Sequence, residues 1–246
     1  MTHFPYRLIE HALPGLGLIV LRVDETIEEE LRRYLPLGTA RLHVSRVPSG
    51  DDLTPESIAG MALRLTEAAA LLPPSAEFDV VGYACTSGTA LIGAERVQAL
   101  VDAGTKTGAV TNPLTAALFA FEHVGLRRVG VVSPYVPSVA EPLRAVFMAQ
   151  GIEVPDMLSF GEEVEARVAR IDPHSIAEAA RALAARNRID GLFLSCTNLQ
   201  TFGILPALEA ELGIPVLSSN QVLAWHMIAL AGVQLNGRPQ GKLWRW

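Results

Sequence analysis

The sequence contains little that would cross-link the chain, anchor it in a membrane or bind nucleic acid. Only two of its 246 residues are cysteines, too few for a disulfide framework. Its apolar runs, such as GLGLIVL, are too short to cross a bilayer. The net charge of −6 and the lack of any cluster of Lys and Arg argue against a nucleic-acid partner.

Common catalytic and cofactor motifs are missing as well. The chain has no HExxH or CxxC metal motif, no Gly-rich phosphate loop and no G-x-S-x-G nucleophile elbow. We therefore expect no metal, no nucleotide and no serine-hydrolase chemistry, and we expect His226, in the apolar helix LAWHMIAL, to be a core histidine. The first residues, MTHFPYRLIEHALPG, lack the basic start and apolar run of a signal peptide, so we expect a cytoplasmic protein with reduced thiols.

What the chain does contain is a regular alternation of short apolar runs and longer helical patterns. Half of its residues are hydrophobic, which is enough for a substantial core. The runs predict strands at 15–22, 40–47, 79–85, 108–111, 127–133, 152–158, 191–196 and 214–219. The intervening patterns predict helices at 26–34, 55–72, 92–103, 113–123, 139–150, 175–188, 205–212 and 221–231. Such alternation indicates an α/β fold with parallel sheets flanked by helices.

The order of these elements repeats along the chain. When Cys85 is aligned with Cys196, DVVGYACT lies over DGLFLSCT. Two further pairs of segments fall into the same alignment: 18–24 with 129–135, and 41–45 with 152–156.

The repeat predicts two pseudo-symmetric, flavodoxin-like halves. We place residues 1–112 and 220–246 in the first half and residues 113–219 in the second. Ligands of open α/β sheets bind beyond the carboxyl ends of the strands. We therefore expect the active site in the cleft between the two halves.

Cys85 and Cys196 each end a predicted strand and each precede a threonine. A free cysteine is often only a small core residue, and a disulfide is a third interpretation that a reducing cytoplasm disfavours. The equivalent positions in the two halves favour chemistry, because N–H groups at the start of a following helix would lower a thiol pKa. The thiols would then face each other as acid, base or nucleophile.

Hydrogen-bonding side chains accompany both thiols. Thr86 and Ser87 follow the first, and Thr197 and Asn198 follow the second. With the adjacent backbone N–H groups they would form a cradle for a carboxylate or an enolate. Each of them taken alone is as readily explained as a helix cap.

Asp24 and Tyr135 follow the first strands of the two halves. Asp24 is equally well explained as a cap of the next helix, and Tyr135 as a ring packed between two prolines, but both positions suit substrate binding. We expect Glu28–Glu30 on a solvated helix face. The C-terminal Trp244 and Trp246 would either cover a partner or pack back on the body.

At these positions the sequence resembles the aspartate/glutamate racemase superfamily. The shared features are two α/β halves, a cysteine at the end of the third strand of each half, and the strings ACTSGT and SCTNLQT. Over nearly the whole chain it is most similar to the branch of maleate cis-trans isomerases and arylmalonate decarboxylases, above all in FGILPALEAELGIPVLSSNQ. The resemblance implies a cofactor-free enzyme that acts on a small carboxylate.

The resemblance also implies roles for individual residues. Cys85 and Cys196 match the acid/base or nucleophilic thiols of the family. The residues that match carboxylate-binding positions of the decarboxylases are Thr86, Ser87 and Tyr135, and those that match donors beside the second thiol are Thr197 and Asn198. Arylmalonate decarboxylases have Gly in place of the first cysteine. Cys85 therefore argues for proton chemistry on two faces of the substrate.

Two acidic residues depart from the maleate isomerase pattern. Asp24 and Glu165, the latter ahead of RIDP, stand where that branch has asparagines that hold the substrate carboxylates. Acids beside a dianion are electrostatically unfavourable, so we hypothesise that the substrate carries an amine that pairs with Asp24 or Glu165. The string LIVLRVDETIEEE is instead similar to ectoine-utilisation members of the same branch.

These observations predict an isomerase or a racemase. A racemase would use one thiolate to remove the α-proton and the other thiol to protonate the opposite face, whereas an isomerase would add one thiolate to a double bond and release it after rotation. The alternatives are an arylmalonate-type decarboxylase and, from another class, a module that binds a small carboxylate without reaction. Such enzymes are often dimers, so a homodimer is also considered, although no exposed stripe identifies an interface.

Overall fold

The strands form two separate parallel sheets. The structure is a computed structural model that describes every residue except 1, 2, 10, 11, 53, 187, 236, 238 and 246. The first sheet contains β1 (Gly15–Leu21), β2 (Arg41–Val47), β3 (Val80–Ala84) and β4 (Val110–Thr111). The second contains β5 (Val129–Ser133), β6 (Met157–Ser159), β7 (Gly191–Leu194) and β8 (Val216–Ser218). Their orders, β2-β1-β3-β4 and β6-β5-β7-β8, are the same.

Helices connect the strands in both halves. In the first half they are α1 (Ile27–Tyr34), α2 (Pro55–Gly60), α3 (Leu65–Ala70), α4 (Thr86–Ile92) and α5 (Ala94–Asp102). The remaining helices are α6 (Pro113–Val124), α7 (Pro137–Ala149), α8 (Glu165–Val168), α9 (Pro173–Arg186), α10 (Leu205–Leu212) and α11 (Ser219–Leu230). The predicted α/β fold of two pseudo-symmetric halves is confirmed. Within the described residues, no helix combines the length and the apolarity needed to span a bilayer.

The middle strands of each sheet form the core. Every residue of β1, β3, β5 and β7 is buried, because helices cover both faces of a parallel sheet. Each apolar side chain buried in this way contributes about 1.5–3 kcal/mol relative to an exposed one. The apolar runs therefore place the carboxyl ends of these strands, where the cysteines follow, at fixed points of a rigid core.

Four elements differ clearly from the prediction, and one of them is the short helix α8, which lies where no helix was predicted. The predicted helix 55–72 is wrong, because α2 ends at Gly60, a poor helix former, and a 3-10 turn at Met61–Leu63 separates it from α3. The helix α4 lies in a segment where no helix was predicted. Strand β6 starts at Met157 rather than 152, since Pro155 has no N–H group to continue the ladder begun by the bridge between Arg128 and Glu153.

The register confirms part of the repeat and corrects another part. The pairing of β1 with β2 and of β5 with β6 keeps the cysteine offset, since Val20 faces Arg46 and Val131 faces Met157. The pairing of β1 with β3 and of β5 with β7 does not keep this offset. Val20 faces Ala84, one residue before the first cysteine, whereas Val131 faces Phe193, three residues before the second. The alignments of 18–24 with 129–135 and of 41–45 with 152–156 therefore agree with each other in the sheets, but both are shifted by two residues from the alignment of Cys85 with Cys196.

Three side chains near the helices test further expectations. The expected solvated face is wrong for Glu30, which is 6% exposed, although Glu29 is exposed. His226 is a core histidine as predicted: it is buried, lies 2.8 Å from the Thr111 hydroxyl, and has its pKa lowered by burial to about 4. Trp244 packs back on the body and stacks on Tyr34, while Trp246 lies outside the described residues.

The division into halves also determines where the last helix belongs. Helix α11 packs against β3 and β4 of the first sheet as well as against β8 and α6. We therefore continue to propose that residues 220–246 complete the first half, after the chain has traversed the second.

Candidate active site

Cys85 lies at the junction of β3 and α4 and caps the helix with its sulfur. Its Sγ accepts a hydrogen bond of 3.1 Å from the Gly88 N–H, and its carbonyl accepts one of 2.7 Å from the Thr89 hydroxyl. A Cβ on residue 88 would lie 2.7 Å from this sulfur and 2.6 Å from the Tyr83 hydroxyl. Glycine at position 88 therefore lets the amide approach the thiol.

Cys196 follows β7 in a different local structure. A turn follows it, and the next helix, α10, starts only at Leu205, so the predicted helix start beside both thiols is wrong for the second. The Asn198 N–H donates to Cys196 Sγ at 3.4 Å, and the Cys196 N–H donates to the Ser219 hydroxyl at 3.1 Å. The second thiol is thus held by a turn and by the start of α11.

The two thiols belong to one buried cluster. Both cysteines are free and only 4% exposed. Tyr135 hydrogen-bonds with Cys196, its pKa is raised by burial and by both thiol groups, and the Glu165 carboxylate raises the pKa of both cysteines. We call the group of Asp24, Cys85, Tyr135, Glu165 and Cys196 the cysteine centre. The two cysteines do not form a disulfide, and both contact groups of this cluster.

Burial dominates the electrostatics of the thiols. It raises the pKa of Cys85 to about 12, against the lowering effect of the Gly88 N–H and the Ser87 hydroxyl. Burial also raises the pKa of Cys196, and the Glu165 carboxylate raises it further, although the Asn198 N–H and Tyr135 oppose them. The expected lowering by backbone N–H groups is present but smaller than the cost of burial. Both thiols are protonated at neutral pH in this state.

Asp24 binds the start of α1 and is a member of the centre. Its Oδ1 accepts hydrogen bonds of 2.9 Å from the N–H groups of Thr26 and Ile27, but the N-cap residue of the helix is Thr26, two residues later than expected. Its Oδ2 is buried and has no hydrogen-bond partner among the described residues. Burial raises the pKa of Asp24, while the two N–H groups and the nearby Thr197 hydroxyl lower it.

Glu165 reaches the centre from α8 in the second half. Its N–H donates to the Asp51 carbonyl at 3.1 Å, and its Oε2 accepts a hydrogen bond of 3.0 Å from the Asn198 side chain. The side chain is only 5% exposed. Burial raises the pKa of Glu165 to about 7, with a further increase from the charge of Asp24 and a decrease from Asn198.

The side chain of Asn198 is hydrogen-bonded to other parts of the protein. Its Oδ1 accepts a hydrogen bond of 2.9 Å from the Glu25 N–H, and its Nδ2 donates to the carbonyl of Glu165, at 3.1 Å, as well as to its carboxylate. The amide thus joins the loop after β1 to α8. Its side chain positions Glu165 in this structure rather than serving as an unoccupied donor.

The three hydroxyls predicted beside the thiols are all buried. Ser87 Oγ lies 3.8 Å from Cys85 Sγ, and Thr197 donates to the Ala84 carbonyl at 3.3 Å. Thr86 Oγ1 lies 2.8 Å from the hydroxyl of Ser219. The structure therefore brings every predicted site residue to one region, but with Thr86 bonded across the two halves.

Several important residues were not predicted. Ser219 joins Thr86 to the Cys196 N–H, Tyr83 hydrogen-bonds with Cys85, and Glu30 accepts from the Asn220 side chain at 2.8 Å. The serine and the asparagine follow β8, as the cysteines follow β3 and β7, so polar residues at a strand end would have identified them. Nothing in the local sequence distinguishes Glu30 from its exposed neighbour.

Comparison with known proteins places this geometry in a family. The family model described as arylmalonate decarboxylase matches residues 49–244. The chain belongs to the arylmalonate decarboxylase family. It is 30% identical to the arylmalonate decarboxylase of Bordetella bronchiseptica, over 92% of this chain and 94% of that protein.

Isomerases are also related to this member of the arylmalonate decarboxylase family. The maleate isomerase of Nocardia farcinica is 26% identical over 87% of this chain and 88% of that protein. A structure of a maleate cis-trans isomerase from the same organism, a cysteine-to-serine mutant with a covalently bound succinylcysteine intermediate, has a TM-score of 0.85. It is 23% identical and covers 95% of this chain and 99% of that one. The predicted branch is confirmed, and these relatives are enzymes. No name among these relatives concerns ectoine utilisation, so that part stays a prediction.

Among the described residues, no group of three or more His, Cys, Asp or Glu is arranged to hold a metal ion. The chemistry that the centre offers is that of two thiols, two carboxyl groups and a phenol. These groups transfer protons or form a bond from sulfur to carbon.

Proposed function

We propose that this protein is a cofactor-independent isomerase or racemase of a small carboxylate, with Cys85 and Cys196 as its catalytic residues. The observation that supports this is the shared environment of the thiols: both are buried and both interact with Tyr135 and Glu165. A binding module would not need two thiols at one site.

Two routes use these groups. For racemisation, one sulfur takes the α-proton while the other thiol delivers its proton to the opposite face, so the proton count is unchanged. For cis-trans isomerisation, one thiolate adds to an alkene carbon, the electron pair moves to the neighbouring carbon, and the C–S bond breaks after rotation. The isomerase relative and the succinylcysteine in the structural neighbour support the second route.

Decarboxylation is the second candidate, because the matched family model and the Bordetella bronchiseptica relative carry that name. The presence of Cys85, where the decarboxylases have Gly, favours the two-thiol reactions.

Substrate access to the thiols requires movement of the protein in each of these reactions, since both thiols are 4% exposed.

Proton NMR of substrates in deuterated water tests the proposal. Maleate, aspartate and phenylmalonate serve as probes, and the products distinguish alkene interconversion, exchange at the α-carbon and loss of CO₂. We expect one of the first two reactions in the wild type and none in Cys85→Ser or Cys196→Ser. Decarboxylation alone, or activity that survives both substitutions, would contradict the proposal.

A further inference from the structure

The cysteine centre has an unbalanced set of charges. Its ionisable members are two carboxyl groups, two thiols and a phenol, all of which are neutral or negative. Among the described residues, no Lys or Arg side chain is buried. Arg46 does act on Asp24, but its side chain is 44% exposed and pairs with Glu28. The protein itself therefore supplies little positive charge to this cluster.

Asp24 shows where a ligand donor is missing. Its Oδ1 is used by the N–H groups of Thr26 and Ile27, so the orientation of the carboxylate is fixed. Its Oδ2 lies in the interior and accepts from no donor among the described residues in this geometry, because the nearby Thr197 hydroxyl donates to the Ala84 carbonyl at 3.3 Å. Leaving such an acceptor unsatisfied costs about 1–3 kcal/mol, and more for a charged group. A ligand that donates to Oδ2 would remove that cost.

Glu165 lies near enough to Asp24 for the two charges to repel each other. Its position is fixed at two points, since its N–H bonds to Asp51 and its carboxylate to Asn198. Asn198 links the two acids, because it accepts from the N–H of Glu25, next to Asp24, at 2.9 Å and donates to the Glu165 carboxylate at 3.0 Å. An ammonium group offers three donors and a positive charge, which matches two acceptor-only carboxylates.

We propose that the substrate carries a cationic nitrogen beside its carboxylate, and that Asp24 and Glu165 bind this nitrogen in the cysteine centre. The proposal rests on the proposed function for the identity of the site, and it specifies the substrate class. Such a substrate would also bring a positive charge close to the two thiols. A cation bound beside them would offset the burial that keeps Cys85 and Cys196 protonated.

The strongest rival is that both acids are protonated and donate hydrogen bonds to a dicarboxylate. The two arrangements predict opposite results for matched ligands. A cation site prefers an ammonium end over a carboxylate end, whereas two protonated acids prefer the carboxylate.

Calorimetric titration at pH 8 with unreactive ligands separates them. One series is succinate, butyrate and 4-aminobutyrate, and the next is glutarate, pentanoate and 5-aminopentanoate. We expect the wild type to bind the ammonium compound of at least one series about tenfold more tightly than its two partners, the gain of one charge-assisted hydrogen bond. In Asp24→Asn and Glu165→Gln that preference should fall to about one, because an amide carries no charge.

Glu25→Gln is the matched control. It removes one negative charge next to Asp24, but the Glu25 side chain is exposed and pairs with Arg170 outside the centre. Asn at position 24 can still accept from both N–H groups, and thermal unfolding confirms that each variant is folded. If the wild type shows no preference for an ammonium compound in either series, or if the preference is unchanged in both amide variants, the proposal is wrong.

The same titration, carried out on the cysteine variants, tests the cation site independently of the proposed catalytic function. Cys85→Ser and Cys196→Ser should abolish turnover but retain the preference for the ammonium compound. A preference in a wild type that catalyses none of the reactions would leave the cation site standing and overturn the enzyme assignment.

Discussion

Ser219 and Thr86 link the segments that carry the two cysteines, because their hydroxyl oxygens lie 2.8 Å apart. Ser219, at the start of α11, also accepts from the Cys196 N–H at 3.1 Å. Thr86 is the residue that follows Cys85. Ser219 thus fixes the position of the Cys196 segment relative to the Cys85 segment.

Replacing this serine should lower both activity and stability, whereas a buried hydroxyl away from the thiols should affect stability alone. In Ser219→Ala the Cys196 N–H loses its acceptor, so we expect the free energy of unfolding to fall by about 1–2 kcal/mol and kcat to fall by about tenfold or more. Ser45→Ala is the control, because its buried hydroxyl bonds to the Ala68 carbonyl in the first half, away from the thiols. Urea unfolding and steady-state kinetics measure both effects. Equal loss of kcat in the two variants would show that the link has no special role.

Glu30 should be the most stabilising of the three consecutive glutamates in α1. Its carboxylate accepts from the N–H groups of Thr201 and Phe202, at 2.6 and 2.8 Å, and from Asn220. Glu30→Ala leaves these buried donors unsatisfied, so we expect a loss of about 3 kcal/mol. Exposed Glu29→Ala should change the free energy of unfolding by less than about 0.5 kcal/mol. A similar small change at both positions in urea unfolding would contradict the role of Glu30.

The stability of the protein should fall as Glu165 ionises. Its pKa is raised to about 7 in the folded state from the ordinary 4.5, so the folded state holds its proton more tightly. This favours folding below pH 4.5 relative to high pH, and the advantage is lost as the pH rises through 7. Glu165→Gln should therefore gain about 3 kcal/mol relative to wild type between pH 4.5 and 8. Asp24, Asn198 and both cysteines surround the group and remain in the variant.

Urea unfolding of wild type and Glu165→Gln at pH 5 and at pH 8 measures this difference. Glu25→Gln, which changes the same charge at an exposed ion pair, should show the same difference from wild type at both pH values. A Glu165→Gln difference that is also independent of pH would mean that the glutamate titrates normally in the fold.

The thiols should react slowly with alkylating reagents. Cys85 has a pKa raised to about 12, and both cysteines are 4% exposed. At pH 8 we expect iodoacetamide to label the native protein on the order of a thousandfold more slowly than a free thiol, because the thiolate is the reactive form. Mass spectrometry follows the labelling, with urea-unfolded protein as the reactive control. Rapid labelling of the native protein would show that the centre is open and its thiols ionised.

Much of the fold and the identity of the site residues could be predicted from local patterns. Apolar runs indicate buried strands wherever they occur, and a polar residue directly after such a run lies at the strand end. This is why the sequence predicts Cys85, which directly follows β3, and also Cys196 and Asp24, which lie two residues after β7 and three residues after β1. The helix α4 was missed because TSGTALI has a Gly and three hydroxyl residues, which have weak helical propensity.

By itself, the sequence determined the α/β architecture, the order of the repeated elements and the presence of one thiol after the third strand of each half, because these depend on residues that are neighbours in the chain. The tertiary structure decided the burial of Glu30, the partners of Asn198 and the two-residue shift of register. It also decided the protonation of the thiols. Each of these depends on segments far apart in the chain, such as Glu30 with Asn220. Their approach sets burial and charge, which no local pattern contains.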